Sequence, residues 1–153
     1  KYPTNLAMVT GGEPLIQEEC IDLMNELLNK KYSVMLETSG SLSLKKVPEK
    51  VMKIVDFKCP SSNMMDKNDW SILSDIQKTD EIKFVIGNQK DYNWSKEMIQ
   101  KHNLNKICPI LFSPVYDTMD IKDLSKWILK DGMSVRLQSQ LHKHIWGSDT
   151  RGV

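Results

Sequence analysis

Two glycines, an acid and a proline, Gly11-Gly12-Glu13-Pro14, follow the apolar run Leu6–Val9 after a single threonine. Glycine lets a ligand approach the main chain with no Cβ in the way, and proline suits the first turn of a helix whose free N–H groups would point into the same loop. Such a loop can bind an ammonium group through its carbonyls and Glu13, and a carboxylate through N–H groups. An α-amino acid carries both charges, although a plain turn between a strand and a helix would have the same residues.

Polar side chains also stand where other predicted strands end. Glu37 and Ser39 close one strand, and Ser113 closes another. Asp56 and Lys58 share a face, because strand side chains repeat every second residue. These groups could bind a charged ligand. The alternatives are a solvated strand end for Glu37 and a weak strand-end salt bridge for Asp56 and Lys58.

Length and charge bound the class of protein. The chain has 153 residues, enough for one domain with a sizeable core, and 21 Lys+Arg against 20 Asp+Glu give a formal charge of +1. No global field would gather nucleic acid or an anionic membrane. The longest apolar runs are only strand-length, and the first residues resemble neither a signal nor a transit peptide. We therefore expect a cytoplasmic protein without nucleic-acid or membrane partners.

The three cysteines, Cys20, Cys59 and Cys108, are odd in number and widely spaced. They form neither a disulfide framework nor a Cys-x-x-Cys metal motif, so we expect small buried apolar side chains. The chain also lacks Gly-x-Ser-x-Gly, the phosphate-binding Gly-Lys-Ser/Thr loop and Gly-x-Gly-x-x-Gly. This disfavours serine hydrolases, NTPases, dinucleotide dehydrogenases and the common methyltransferases.

Hydrophobic periodicity predicts strands that alternate with helices. This order favours a parallel sheet with right-handed crossovers, either open or as a β/α barrel, and both place a site at the carboxyl ends of the strands. The predicted strands cover 6–9, 33–37, 51–58, 81–86, 106–112 and 133–141, and the predicted helices cover 16–28, 70–77, 91–102 and 121–128.

Five segments in this order resemble a radical S-adenosylmethionine (SAM) enzyme of the 7-carboxy-7-deazaguanine synthase family. The Gly-Gly-Glu-Pro loop is typical of the whole superfamily, whereas Lys58-Cys59-Pro60-Ser61-Ser62 and the tail Leu141-His142-Lys143 narrow the resemblance to the family. It covers nearly the whole chain through segments 9–15, 36–40, 56–62, 80–87 and 140–143.

The resemblance implies an α/β fold, a partial, open β/α barrel with a mainly parallel sheet and helices on the outside. It implies a carbon–nitrogen lyase that contracts the ring of 6-carboxy-5,6,7,8-tetrahydropterin with loss of ammonia, giving 7-carboxy-7-deazaguanine for queuosine and other 7-deazapurines of tRNA. The implied cofactors are SAM, a [4Fe-4S] cluster that cleaves SAM to a 5′-deoxyadenosyl radical, and Mg²⁺. The implied partners are the pterin and a flavodoxin- or ferredoxin-type electron donor, and a homodimer is left open.

The resemblance also assigns SAM-binding residues. The loop from Gly11 to Pro14 would hold the methionine end. Glu37 and Ser39 would face the methionine and ribose, and Ser113 would lie near the adenosine. Lys58 would meet the SAM carboxylate as a point charge.

The tail is similar to the substrate-binding end of the family. His142 would contact the pterin, with Gln140 as a neighbour, and the terminal carboxylate at Val153 would reach the substrate. His144 lies one strand period from His142, so an error in strand register would exchange the two.

The chain departs from the family pattern in two respects. In the family the three cluster cysteines lie on the loop after the first strand, upstream of the Gly-Gly-Glu-Pro loop, and the threonine that serves Mg²⁺ follows the cysteine motif. Residues 1–10 hold no cysteine, so the resemblance would place both upstream of Lys1. We therefore expect a single-domain fragment, 1–153, from the second barrel strand to the natural C-terminus. Within this fragment we assign no catalytic residue and no metal ligand. We expect the fragment alone to assemble no cluster and to be inactive.

Two other functions are compatible with the residues. One is a radical SAM activase that makes glycyl radicals on another protein, and the other is a non-catalytic α/β module that retains the SAM loop. Binding of both SAM and the carboxypterin would favour the synthase, SAM alone the activase, and neither the module.

Overall fold

One sheet of six parallel strands forms the centre of the computed structural model, which describes residues 3–147 and Thr150. The strands lie side by side in the order in which they occur along the chain, and within the described residues the sheet does not close. This is the order of a β/α barrel that stays open, as predicted, rather than of a doubly wound sheet. The strands are β1 (Leu6–Val9), β2 (Ser33–Thr38), β3 (Met52–Phe57), β4 (Glu81–Ile86), β5 (Ile110–Pro114) and β6 (Arg136–Leu137).

The first three helices pack on one face of the sheet. Cys20 and Met24 of the first helix pack against β2, and Tyr92 and Ile99 of the second join the core built on β3, β4 and β5. Leu124 and Ile128 of the third helix belong to the same core. The helices are α1 (Glu19–Asn29), α2 (Gln89–Lys101), α3 (Ile121–Lys130) and α4 (Leu141–Trp146).

Three predicted elements differ from the structure. The predicted helix 70–77 is a 3-10 helix, Trp70–Asp75, and the helix predicted from Ile16 starts at Glu19, after a 3-10 turn at Pro14–Ile16. β5 starts at Ile110 rather than at residue 106, because Leu104–Lys106 forms a 3-10 turn and Pro109 has no N–H for the ladder.

The end of the chain was also predicted wrongly in part. The strand predicted over 133–141 reduces to Arg136–Leu137, and the helix α4 begins at Leu141. Only two residues of this alternating segment pair as an edge strand, and the segment is followed by a helix. His142 and His144 therefore lie on a helix, and the strand-period argument for their exchange was wrong.

The connections from β2 to β3 and from β3 to β4 contain no α-helix. In the first connection Leu44 is buried in the core of the sheet. In the second connection Ile72 and Ile76 are buried in the same core. These irregular connections contribute polar backbone and side chains near the carboxyl ends of the strands. No helix among the described residues has both the length and the apolar character needed to cross a membrane.

Candidate functional site

The helix-free face of the sheet carries the polar residues that were predicted from the strand ends. Strand alternation places Glu37, Asp56, Lys83 and Ser113 on this face, opposite the helices. The register aligns Asp56 with Lys83 and Val85 with Ser113. Since all strands are parallel, their carboxyl ends lie at one edge of the sheet, and Glu37, Asp56 and Lys58 come together there.

The Gly-Gly-Glu-Pro loop leaves β1 at the same edge. A Cβ atom at Gly11 or Gly12 would meet no atom within 4 Å, so the main chain is open to a ligand there. Pro14 is buried and starts the 3-10 turn. The free N–H groups expected from a helix at this point are reduced to those of one short turn.

Glu13 ties this loop to the end of β2. Its carboxylate accepts hydrogen bonds from the hydroxyl of Thr38 (2.9 Å), the N–H of Ser39 (2.7 Å) and the hydroxyl of Ser39 (2.5 Å). It also accepts the N–H of Leu15 at 3.2 Å. Glu13 therefore places negative charge beside the glycine loop, and the hydrogen bonds that its oxygens accept join the two loops.

Four charged side chains, which we call the charged row, lie across β2, β3 and β4: Glu37, Lys83, Asp56 and Lys58. Lys83 pairs with Glu37, and its Nζ lies 3.9 Å from Oδ2 of Asp56. Lys58 Nζ lies 3.0 Å from the same oxygen. The expected strand-end salt bridge between Asp56 and Lys58 is therefore present, and it belongs to a larger set.

Asn68 fixes the backbone of Lys58. Its side-chain oxygen accepts the Lys58 N–H at 2.8 Å, and its side-chain nitrogen donates to the Lys58 carbonyl at 3.0 Å. The Lys58 side chain is 33% exposed. The backbone of Lys58 is thus held in place while its side chain remains partly accessible, an arrangement that suits the binding of an anion.

Two cavities adjoin Lys58. One, of about 550 Å³, lies between the ends of β3 and β4 and the loop after β5, and the other, of about 260 Å³, contains Ser39. Both combine polar groups with apolar walls. The larger is lined by Asp56, Phe57, Lys58, Cys59, Ser61, Ser62, Val85, Gly87, Asn88, Val115 and Thr118.

Asp91, a residue of α2, holds the wall of the larger cavity. Its carboxylate is fully buried and accepts the N–H of Ser61 (2.9 Å), the hydroxyl of Ser61 (2.5 Å) and the N–H of Gly87 (2.9 Å). Asn88 caps α2 by accepting the Asp91 N–H at 3.1 Å. One carboxylate therefore joins the loop after β3, the turn after β4 and the start of a helix.

The remaining predicted residues are less directly placed. Ser113 is 4% exposed and lies beside Val85 of the cavity wall, so it is not itself at the cavity surface. Gln140 lines a separate cavity of about 440 Å³, which meets the larger one at Thr118. His142 is exposed on α4, and Val153 lies outside the described residues.

Iron–sulfur ligation does not fit the cysteines of the described chain. Cys20, Cys59 and Cys108 are all buried and free. Burial, as the main cause, raises the pKa of Cys59 and of Cys108 to about 12, which opposes the thiolate form that iron requires. Among the described residues, no group of three or more His, Cys, Asp or Glu side chains is placed to bind a metal.

Sequence reasoning missed Lys83, Asn68 and Asp91. An available signal for Asp91 is the spacing Asn88-x-x-Asp91 at a helix start, which resembles a capping box. Lys83 looks like the solvated position of an alternating strand, and Asn68 belongs to an irregular connection. Only the paired strands show that Lys83 faces two acids.

Comparison with known proteins gives consistent relatives, although no family model matches the chain. The 7-carboxy-7-deazaguanine synthase of Koribacter versatilis is 40% identical over 99% of this chain and 73% of its own length. The synthases of Chlorobaculum tepidum and Methanospirillum hungatei are 38% and 35% identical over 95% and 90% of this chain, and 67% and 57% of their own lengths. The chain therefore spans between about half and three quarters of these relatives.

Solved structures share the fold. The crystal structure of QueE from Escherichia coli has a TM-score of 0.69 at 22% identity and covers 91% of this chain and 57% of that one. The SAM-bound structure of SuiB from Streptococcus suis has a TM-score of 0.59 at 12% identity and covers 88% of this chain and 38% of that one. At these identities the similarity concerns the fold alone.

Proposed function

Because the chain belongs to the 7-carboxy-7-deazaguanine synthase family, we propose that it forms the part of such an enzyme that binds SAM and the pterin substrate. The proposed reaction is the radical SAM ring contraction of 6-carboxy-5,6,7,8-tetrahydropterin. A flavodoxin- or ferredoxin-type protein is the proposed reductant. The observation that carries the proposal is the convergence of the open glycine loop, Glu37 and Lys58 at one edge of the helix-free face.

The donor set suits a zwitterionic amino acid with a sugar attached. The loop at Gly11 and Gly12 offers its main chain without obstruction, and Glu13 places negative charge beside it. Lys58 offers an ammonium group to a carboxylate, and Glu37 offers a carboxylate to ribose hydroxyls. Bound SAM supplies a 5′-deoxyadenosyl radical after reductive cleavage. The role of these residues is to hold SAM in one orientation.

The larger cavity suits a flat heterocycle with polar edges. Val85 and Val115 supply apolar surface, and the hydroxyls of Ser61 and Ser62 and the amide of Asn88 supply hydrogen-bonding groups. A pterin needs both kinds of contact. Asp91 would keep these contacts in place by holding the Ser61 backbone.

His142 and Gln140 remain proposed substrate contacts at the open side of this region. Gln140 has a buried side-chain oxygen, Oε1, without a hydrogen-bond partner in the described chain. That acceptor is suited to an N–H group of a pterin. Val153, which lies outside the described residues, remains a proposed substrate contact as well. The described residues do not fit an iron–sulfur cluster, so their proposed roles are confined to binding SAM and the pterin.

Calorimetry of the enzyme expressed from its complete coding region tests the proposal. We expect binding of both SAM and 6-carboxy-5,6,7,8-tetrahydropterin, and formation of 7-carboxy-7-deazaguanine under reducing, anaerobic conditions. Binding of SAM without the pterin would favour an activase, and binding of neither would favour a non-catalytic module. Lys58→Met should weaken SAM binding about tenfold, as expected for one charge-assisted contact, whereas Lys126→Met, which removes an exposed ion pair with Asp123, should not.

A further inference from the structure

Lys83 occupies a position that an exposed surface lysine does not have. Its side chain is only 15% exposed, on the middle of the helix-free face. The residue opposite it on β5, Leu111, is completely buried, and so is most of Ile54 on β3. A lysine in such surroundings has lost much of its hydration, and it is retained only where acids compensate its charge.

Both acids of the charged row face this one lysine. Asp56 is its register partner on β3, and Glu37 lies on β2, one strand further. Adjacent strands are about 4.8 Å apart, so a contact from β4 to β2 spans about 10 Å and requires a long side chain. The Lys83 side chain therefore crosses β3 and connects three strands.

Among the residues that the structure describes, one oxygen of each acid has no hydrogen-bond partner. Lys83 bonds to Oε1 of Glu37, and among the described residues Oε2 of Glu37 has no hydrogen bond. Oδ2 of Asp56 faces both lysines, whereas Oδ1 is buried and without a hydrogen-bond partner in the described chain. Asp56 lines the larger cavity. Glu37, which is partly exposed, thus keeps an acceptor for a ligand, whereas the unpaired oxygen of Asp56 is buried.

The second lysine also changes what Lys58 can do. If Asp56 had Lys58 as its single counter-ion, movement of Lys58 towards a ligand carboxylate would leave Asp56 uncompensated. With Lys83 already 3.9 Å from Oδ2, Asp56 keeps a positive neighbour when Lys58 moves. The row then loses one contact rather than exposing an unpaired buried charge.

We propose that Lys83 is a positioning residue that orients Glu37 and frees Lys58 to bind the SAM carboxylate. The inference rests on the proposed SAM site. It assigns Lys83 no contact with SAM and no share in the radical chemistry. Its effect on the ligand passes through Glu37 and Lys58.

Substitutions in the holoenzyme with its iron–sulfur cluster test the proposal, with SAM as the probe. Lys83→Met keeps an unbranched apolar stem without the ammonium group. It should raise the Kd for SAM at least tenfold and should raise the KM for SAM more than it lowers kcat. Lys83→Arg keeps the charge and should restore SAM affinity to within about threefold of the wild type. The exposed Lys126→Met serves as the matched control and should bind as the wild type does.

A double-variant cycle separates positioning from general destabilisation. Glu37→Gln should weaken SAM binding. The double variant with Lys83→Met should raise the Kd for SAM by less than the product of the two single fold-changes, because both substitutions remove the same Lys83–Glu37 ion pair. If Lys83→Met fails to fold, Lys83→Gln replaces it in the cycle. SAM affinity in folded Lys83→Met or Lys83→Gln equal to the control, full additivity with Glu37→Gln, or failure of Lys83→Arg to rescue would overturn the inference. Absence of SAM binding by the wild type would instead overturn the proposed function.

Discussion

The carboxylate of Glu13 accepts the main-chain N–H of Ser39 at 2.7 Å and its hydroxyl at 2.5 Å, joining residues 26 apart in the sequence. Glu13 stands in the loop after β1, and Ser39 follows the end of β2. The two loops are therefore linked by a charge-assisted contact. A ligand bound at the glycine loop is coupled through Glu13 to the residues that follow Glu37.

Replacing Glu13 tests this link. In Glu13→Gln the amide presents an NH₂ donor where the carboxylate accepts from Thr38 and Ser39. We expect the free energy of unfolding to fall by about 1–3 kcal/mol, since a partly buried donor is left without an acceptor. Chemical denaturation followed by circular dichroism measures the change. Glu26→Gln, which removes an exposed ion pair with Lys30, should lower the free energy of unfolding much less, and an equal loss in the two variants would contradict the interpretation.

Local periodicity predicted a parallel sheet with polar residues at the carboxyl ends of its strands, whereas the order of an open β/α barrel was predicted from the family resemblance. Alternation on β3 placed Asp56 and Lys58 together, and the Gly11-Gly12 pair indicated an open loop. The irregular connection at Trp70–Asp75 was predicted as a helix, because its apolar spacing serves a 3-10 helix packed on the core. Lys83 was missed since its role depends on Glu37, 46 residues away, and no local pattern carries that pairing.

Gly40 is expected to be less replaceable than another glycine of similar conformation. It has φ +69°, and a Cβ atom there would lie 2.8 Å from Cγ1 of Val55; Gly132 has φ +58° and open space. Gly132→Ala should cost about 1–2 kcal/mol, the usual cost of the left-handed region. Gly40→Ala should cost about 1–3 kcal/mol more, because the core must shift as well. The unfolding free energies of the two variants test this, and equal values would show that the core accommodates the methyl group.

Asp91 should matter for both stability and substrate binding. Asp91→Asn leaves one acceptor oxygen for the N–H of Ser61, the hydroxyl of Ser61 and the N–H of Gly87. We expect a loss of about 2–3 kcal/mol in unfolding free energy, typical of a broken buried hydrogen bond to a charged group. The variant should also bind the carboxypterin more weakly in calorimetry, because the cavity wall loosens. Asp123→Asn, on an exposed side chain, is the control; wild-type pterin affinity in folded Asp91→Asn would show that the wall does not depend on this carboxylate.

The chain Lys1–Val153 should not form an iron–sulfur cluster. Its three cysteines are buried and separate, and thiolate formation at Cys59 and Cys108 is opposed because burial raises their pKa to about 12. Anaerobic incubation with iron and sulfide, followed by visible absorption and iron analysis after desalting, checks this. Protein-bound iron with the absorbance of a [4Fe-4S] centre would contradict it, and Cys20→Ala with Cys59→Ala would then locate the ligands.

The same thiols should make the fold less stable in alkaline solution. The ordinary thiol value is 9.0, and burial raises the pKa of Cys59 and Cys108 to about 12. Between these values the unfolded chain releases its thiol protons while the folded chain keeps them, so the folded state binds more protons and its stability falls as pH rises. The loss is about 1.4 kcal/mol per thiol one pH unit above the unfolded value. Burial also raises the pKa of Tyr92, which adds a loss of the same sign at higher pH. Burial likewise raises the pKa of the Cys20 thiol, with a smaller contribution from the charge of Glu13.

Denaturation at pH 8 and pH 10 should show this decline in the wild type. Cys59→Ala with Cys108→Ala should show a shallower decline, because only Cys20 and Tyr92 of these groups remain, and slopes identical to the wild type would show that the two replaced thiols do not couple to folding.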